Sequence, residues 1–203
     1  MIAGILSIIS GFILHVVEAS GYFGIFFLMA LESVNIPIPS EIIMTFSGFL
    51  ASTGIFYFWT VVLVGAFGNL IGSLFSYWLG YLVRKGIFSR DNNRVSNKVN
   101  RAQNWIDRFG DLAIFISRLL PIVRTFISFP LGVIKVKSLW RFSFLTFVGS
   151  FVWSILLTYL GFVSGKNWEA LSVYFRKFDY IILILLGGAF IWWLKRYIKL
   201  RKN

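Results

Sequence analysis

The ten residues Glu32 to Glu41, ESVNIPIPSE, set two carboxylates and two prolines between long apolar flanks. Pro37 and Pro39 carry no backbone N–H and push the residues before them toward extended geometry, so no helix runs unbroken through this stretch. Arg118 to Arg124, RLLPIVR, repeats the device with the opposite sign, a proline between two arginines. In lipid, a broken backbone survives only where protein or water satisfies its freed polar groups. The charges face the same constraint. Each costs roughly 2.5 to 3.5 kcal/mol at a bilayer centre, so Glu32, Glu41, Arg118 and Arg124 left single would cost on the order of 10 kcal/mol. The whole net stability of a soluble domain is about 5 to 15 kcal/mol. These side chains must therefore pair, bind a ligand or face a water-filled cavity, and each option makes the two breaks a site.

That the surroundings are lipid follows from composition. Of 203 residues, 58% are hydrophobic and 14% charged, against ~25% charged in a soluble domain. The chain reads as an all-α integral membrane protein. Its net charge of +12 sits at the ends of apolar runs, which marks membrane topology and not nucleic-acid binding. Without cysteine there is no disulfide, thiol catalysis or cysteine metal site, and the lone His15 builds no metal cluster. The sequence points to no cofactor.

Taken in order, residues 1–18 predict an interfacial or partly inserted helix, too short for the ~20 residues of a span. Residues 21–52 place two half-length apolar arms around the Pro-x-Pro tip, a re-entrant hairpin. Residues 59–83 predict the first full span, with Gly68, Gly72, Ser76 and Gly80 forming a small-residue stripe for close helix approach. Residues 84–111, rich in Arg and Lys, predict a cytoplasmic loop. Residues 112–134 enter apolar, meet Arg118, Pro121, Arg124 and Pro130, and predict a second hairpin. Spans follow at 142–163 and 180–194, and the basic tail 195–203 places the C-terminus in the cytoplasm.

The chain also repeats itself. Phe23-Gly24 and Phe109-Gly110 are 86 residues apart, as are Glu32 and Arg118. Gly68 and Gly149, Ser73 and Ser154, Leu79-Gly80 and Leu160-Gly161, and Lys85 and Lys166 are 81 apart. A hairpin crosses nothing and a span crosses once, so two such units are inverted in the membrane and their tips meet near its midplane. Inverted repeats with broken helices and a midplane site are the signature of transporters. Ser40 and Thr125 are the expected N-caps of the returning arms, aiming positive helix ends inward. Arg118 and Arg124 add guanidinium forks that match phosphate. Glu32 stands at the negative end of its incoming arm, where taking up a proton relieves repulsion.

These motifs, E-x4-P-x-P-x-E at Glu32 to Glu41, the series Gly68, Gly72, Gly80 with Tyr77, and S-R-x2-P-x2-R at Ser117 to Arg124 followed by Pro130, Leu131 and Gly132, resemble the DedA family of bacterial membrane proteins, also described as SNARE-associated or VTT-domain proteins. The resemblance implies a translocase of the bacterial cytoplasmic membrane, driven by proton-motive force. Its lipid would be phosphate-bearing, such as undecaprenyl phosphate or phosphatidylethanolamine. It also implies that the essential acids fall on Glu32 and Glu41 and the essential arginines on Arg118 and Arg124.

The expectation is thus a lipid translocase in which Arg118, Arg124, Glu32 and Glu41 bind substrate and Glu32 and Glu41 exchange protons. Three other classes are weighed against it. A structural lock would use the four charges only as salt bridges between hairpins. A small-cation antiporter uses the acids but leaves both arginines without an anion. A lipid phosphatase working through phosphohistidine lacks its histidines. Oligomeric state is not legible in the sequence.

Overall fold

The structure, a computed structural model, describes residues 2–36, 38–89, 110, 114–118, 120–136 and 138–165. The span expected at 180–194, the tail 195–203 and residues 90–109 of the basic loop lie outside the described residues.

Every regular element among the described residues is helical: α1 (Ile2–Ser33), α2 (Ser40–Ser52), α3 (Phe58–Ser89), α4 (Pro121–Phe126), α5 (Ser128–Ile134) and α6 (Leu139–Ser164). Among the described residues, three stretches are long and apolar enough to cross a membrane, Gly11–Ser33, Phe58–Gly86 and Leu139–Ser164. The first is sharply bent. Gly21 sits at φ 58°, a backbone that glycine adopts without a Cβ penalty. A Cβ on Gly24 would stand 2.6 Å from the Val16 carbonyl, whereas eight residues of straight helix span about 12 Å. The bend is held by the turn after α2: Tyr22 stacks on Phe56 at 4.8 Å, and its hydroxyl accepts from the Tyr57 N–H at 2.9 Å. Beyond Gly21 only twelve residues of α1 remain before the break at residues 34–39, where Asn35 takes a left-handed φ of 73°.

The second break falls at Leu120, extended at φ −97° and ψ 119°, with Pro121 opening α4. Proline cannot donate and presets a helical φ, so it takes the first helical position and forces its predecessor out of the helix. Pro130 is tolerated for a related reason: it lies in the first turn of α5, where an N–H has no intrahelical partner. α5 ends at Lys135 with φ 63°, and the Arg84 guanidinium binds the Val133 and Ile134 carbonyls exposed there. Arg84 and Lys85, expected in the loop 84–111, belong to the last turns of α3.

Glycines set the packing. Gly68 and Gly72 of α3 rest on backbone of α1 at Phe26 and Ala30, and Gly149 of α6 rests on Arg118 and Phe115. Gly80 of α3 meets the Phe129 carbonyl of α5 while Gly132 of α5 meets the Tyr77 carbonyl of α3. Gly161 of α6 meets the Thr45 carbonyl of α2 while Gly48 of α2 meets the Thr158 carbonyl of α6. Without a hydrophobic drive between helices in lipid, such backbone approach is what makes association favourable. Where α3 and α6 cross, the Ser150 hydroxyl donates to Asn69 Oδ1 at 2.6 Å. The outward faces carry Leu63, Phe67, Ile71, Phe75 and Trp78 of α3 and Phe144, Val152 and Leu156 of α6.

Candidate functional site

Both breaks converge on one buried polar cluster. Arg124, on α4, is 3% exposed and Glu32, in the last turn of α1, is 4% exposed; Arg124 Nη2 donates to Glu32 Oε1 at 2.5 Å. The same Nη2 donates to the Ser40 hydroxyl at the start of α2. The Arg124 guanidinium lies over the Trp153 ring of α6, 5.0 Å from its centre. Arg118 is 1% exposed and meets no carboxylate among the described residues. It donates to Ser73 Oγ of α3 at 3.3 Å, Ser128 Oγ of α5 at 2.9 Å and the Arg124 carbonyl at 2.8 Å, and it lies 5.3 Å from the centre of the Phe142 ring.

The expected meeting of two acids with two bases therefore resolves into one ion pair and one arginine held by neutral oxygens. Glu41 is half-buried in the first turn of α2 and accepts from Ser40 Oγ at 3.3 Å. The expected N-caps are corrected. Pro39 occupies the cap position of α2 with no side-chain cap, because the Ser40 side chain turns to Arg124 and Glu41. Thr125 lies within α4, whose cap position is Leu120, because Pro121 starts the helix four residues earlier.

Several polar atoms of the cluster stay unpaired. Among the described residues, Glu32 Oε2, the Nε of Arg118 and of Arg124, the indole N–H of Trp153 and the Ser154 hydroxyl are buried without a hydrogen-bond partner. Each such group costs about 1–3 kcal/mol, more when charged, so the cluster is arranged for something further. The unpaired donors outnumber the acceptors, and of the two guanidiniums only that of Arg124 has a carboxylate partner among the described residues. Chemically this is a cradle for an oxyanion.

Sequence reading missed Trp153, Ser73 and Ser128 as parts of the site. A signal existed for one of them. Tryptophan prefers the membrane interface, so one in the middle of α6 is out of place.

Comparison with known proteins places this geometry in context. The VTT domain pattern matches residues 38–163. The chain is 31% identical over 197 residues to a Lactococcus lactis subsp. cremoris protein named alkaline phosphatase-like protein, covering 93% of this chain and 92% of that one. It is 30% identical over 152 residues to undecaprenyl phosphate transporter A of Bacillus subtilis, covering 73% and 74%. Against the protein of the same name in Staphylococcus aureus it is 28% identical over 190 residues, covering 90% and 93%. No solved structure matches.

Proposed function

The chain belongs to the VTT-domain family, also called DedA, and from that premise we propose that it carries a phosphate-bearing lipid, undecaprenyl phosphate above all, across the bacterial cytoplasmic membrane. The observation that carries this reading is the positive excess among the fully buried charges of the described residues: Arg118 and Arg124 are both buried, Glu32 pairs with Arg124, and Glu41 is only half-buried on the far side of Ser40. A buried cation without a counter-ion is costly, and a lipid phosphate supplies the missing charge in the geometry a guanidinium fork prefers. The same excess disfavours a small cation as cargo.

In this reading the head group displaces Glu32 from Arg124, and Glu32 takes up a proton as it leaves, because an unpaired buried carboxylate is not tolerated. Glu41, on the other side of Ser40, is the second station for that proton. The acyl or prenyl chain stays in the bilayer while the head group passes.

The two breaks serve as tips of re-entrant hairpins within an inverted repeat. What supports this is the exchange of contacts between halves. Gly80 on Phe129 is matched by Gly161 on Thr45, and Gly132 on Tyr77 by Gly48 on Thr158. The partners in α3 and α6 are 81 residues apart and those in α2 and α5 are 84 apart. Asn69 and Ser150, which bond each other, are themselves 81 apart, and Ser40 and Arg124, also bonded, are 84 apart. Such self-pairing is expected on a pseudo-two-fold axis. Arg84, Lys85, Lys135 and Arg141 gather at one end of the bundle, which the positive-inside rule places in the cytoplasm.

The test is to reconstitute the protein in liposomes and follow the sidedness of labelled undecaprenyl phosphate and labelled phosphatidylethanolamine, with and without a pH gradient. Movement of the polyprenyl phosphate that Arg118→Ala and Arg124→Ala abolish is the expected result. Movement of phosphatidylethanolamine alone changes the substrate. Release of inorganic phosphate from the probe would assign an enzyme, the reading suggested by the name of the Lactococcus lactis relative. Proton flux dependent on cations, with no lipid movement, would assign an antiporter.

A further inference from the structure

Resting on the translocase reading above, we infer that the indole N–H of Trp153 is a ligand of the transported phosphate, sharing one head-group oxyanion with the Nε of Arg124. The two side chains are already in contact. The Arg124 Cζ stands 5.0 Å from the centre of the Trp153 ring, Nε is one bond from that carbon, and Nε1 is an atom of the indole. Both N–H groups are buried, and neither has a partner among the described residues. Each reaches an oxygen about 2.9 Å away, so a tetrahedral oxyanion at the edge of the stack can accept from both. The Glu32 carboxylate, bound through Nη2, leaves both donors unused. A phosphate that displaces it presents oxygens in three directions and can take the guanidinium edge and the indole together.

The fold singles out this residue. Gly68 of α3 rests on Phe26 and Met29, and Gly149 of α6 rests on Phe115 and Arg118; the glycines are 81 residues apart and their partners 89. These contacts match Arg118 to Met29, and not to Glu32 as the 86-residue spacing suggests. One turn further along, α3 has Gly72, where a Cβ would stand 2.1 Å from the Ala30 carbonyl, and α6 has Trp153. At this level α3 packs with no side chain at all, while α6 carries an indole and sets it under a guanidinium. Packing of the repeat therefore does not call for the tryptophan, whereas an anion held on the arginine half does. A neutral donor also adds a hydrogen bond to the phosphate without burying a further charge.

Trp153→Phe keeps a ring beneath Arg124 and removes the N–H, so it tests the bond apart from the stack. In proteoliposomes, half-saturation by a labelled polyprenyl phosphate should rise about tenfold, the loss of one hydrogen bond to a charged group, with the maximal rate little changed. Lost stability would lower the rate and leave half-saturation alone. Unchanged half-saturation overturns the inference. Indole N–H magnetic resonance spectra of isotope-labelled wild type in a neutral detergent give a reading independent of transport. The chain has eight tryptophans, and the Trp153 signal is the one that Trp153→Phe removes. Decyl phosphate should move its proton resonance downfield, whereas decanol and inorganic phosphate at the same concentration should not. A signal that stays in place with decyl phosphate, or moves equally with decanol or inorganic phosphate, overturns the inference. If the wild type moves no lipid at all, the translocase reading fails, and the spectra alone decide whether Trp153 holds a lipid phosphate.

Discussion

Replacing Arg124 while keeping its bulk, as in Arg124→Met, tests the ion pair directly. The substitution removes a 2.5 Å contact to a carboxylate that is 4% exposed, a hydrogen bond to Ser40 and a cation resting on Trp153. Stripping one partner from a buried pair costs about 3–5 kcal/mol because the remaining charge is stranded, and the lost cation–π contact adds about 1–2 kcal/mol. Glu32→Gln strands the guanidinium and should cost a similar amount. Glu32→Gln with Arg124→Met strands nothing, so the double variant should be more stable than either single one. The expected coupling is at least about 2 kcal/mol, roughly thirtyfold in the unfolding equilibrium. SDS titration in mixed micelles, followed by tryptophan fluorescence, measures all four corners of the cycle. Costs that add to within about 0.5 kcal/mol would mean that the two side chains do not share a buried environment, and the site as described would be wrong. Recovery of folding should not bring back transport, because the phosphate fork is gone.

The packing and the rest of the site give three further expectations. Gly161→Val and Gly80→Val drive side chains into the Thr45 and Phe129 carbonyls and should abolish a monodisperse peak in detergent chromatography, whereas Phe67→Leu on the outward face should leave it intact. Trp153→Ala removes the ring beneath Arg124 and should lower thermal stability in detergent by about 1–2 kcal/mol, with Trp153→Phe retaining at least half of it; equal losses would deny the cation–π contact. Arg84→Gln leaves the Val133 and Ile134 carbonyls without their guanidinium and should cost about 1–2 kcal/mol, read as faster hydrogen exchange in α5 and not in α2.

What the sequence determines here is where the chain cannot be an ordinary helix in lipid. Pro121 alone places the second break at Leu120, because proline fixes φ and constrains its predecessor whatever surrounds them. The stripe Gly68, Gly72, Ser76 and Gly80 likewise announces close approach, since four-residue spacing puts small side chains on one face in any helix. The identity of the neighbour was not legible: the upper part of the stripe receives α1 and the lower part α5, a choice made by how the two halves interlock. The same limit applies to the charges. Their number and cost were readable from residue type, but which acid meets which base depends on side-chain reach across four helices. Only the tertiary structure gives Glu32 to Arg124, leaves Arg118 to Ser73, Ser128 and a carbonyl, and turns Ser40 away from its expected cap toward Arg124. Local backbone rules act through one or two bonds and so survive any fold. Pairing in a low-dielectric interior is set by distances of a few ångströms between segments up to 92 residues apart in the chain, and those distances exist only once the helices are packed.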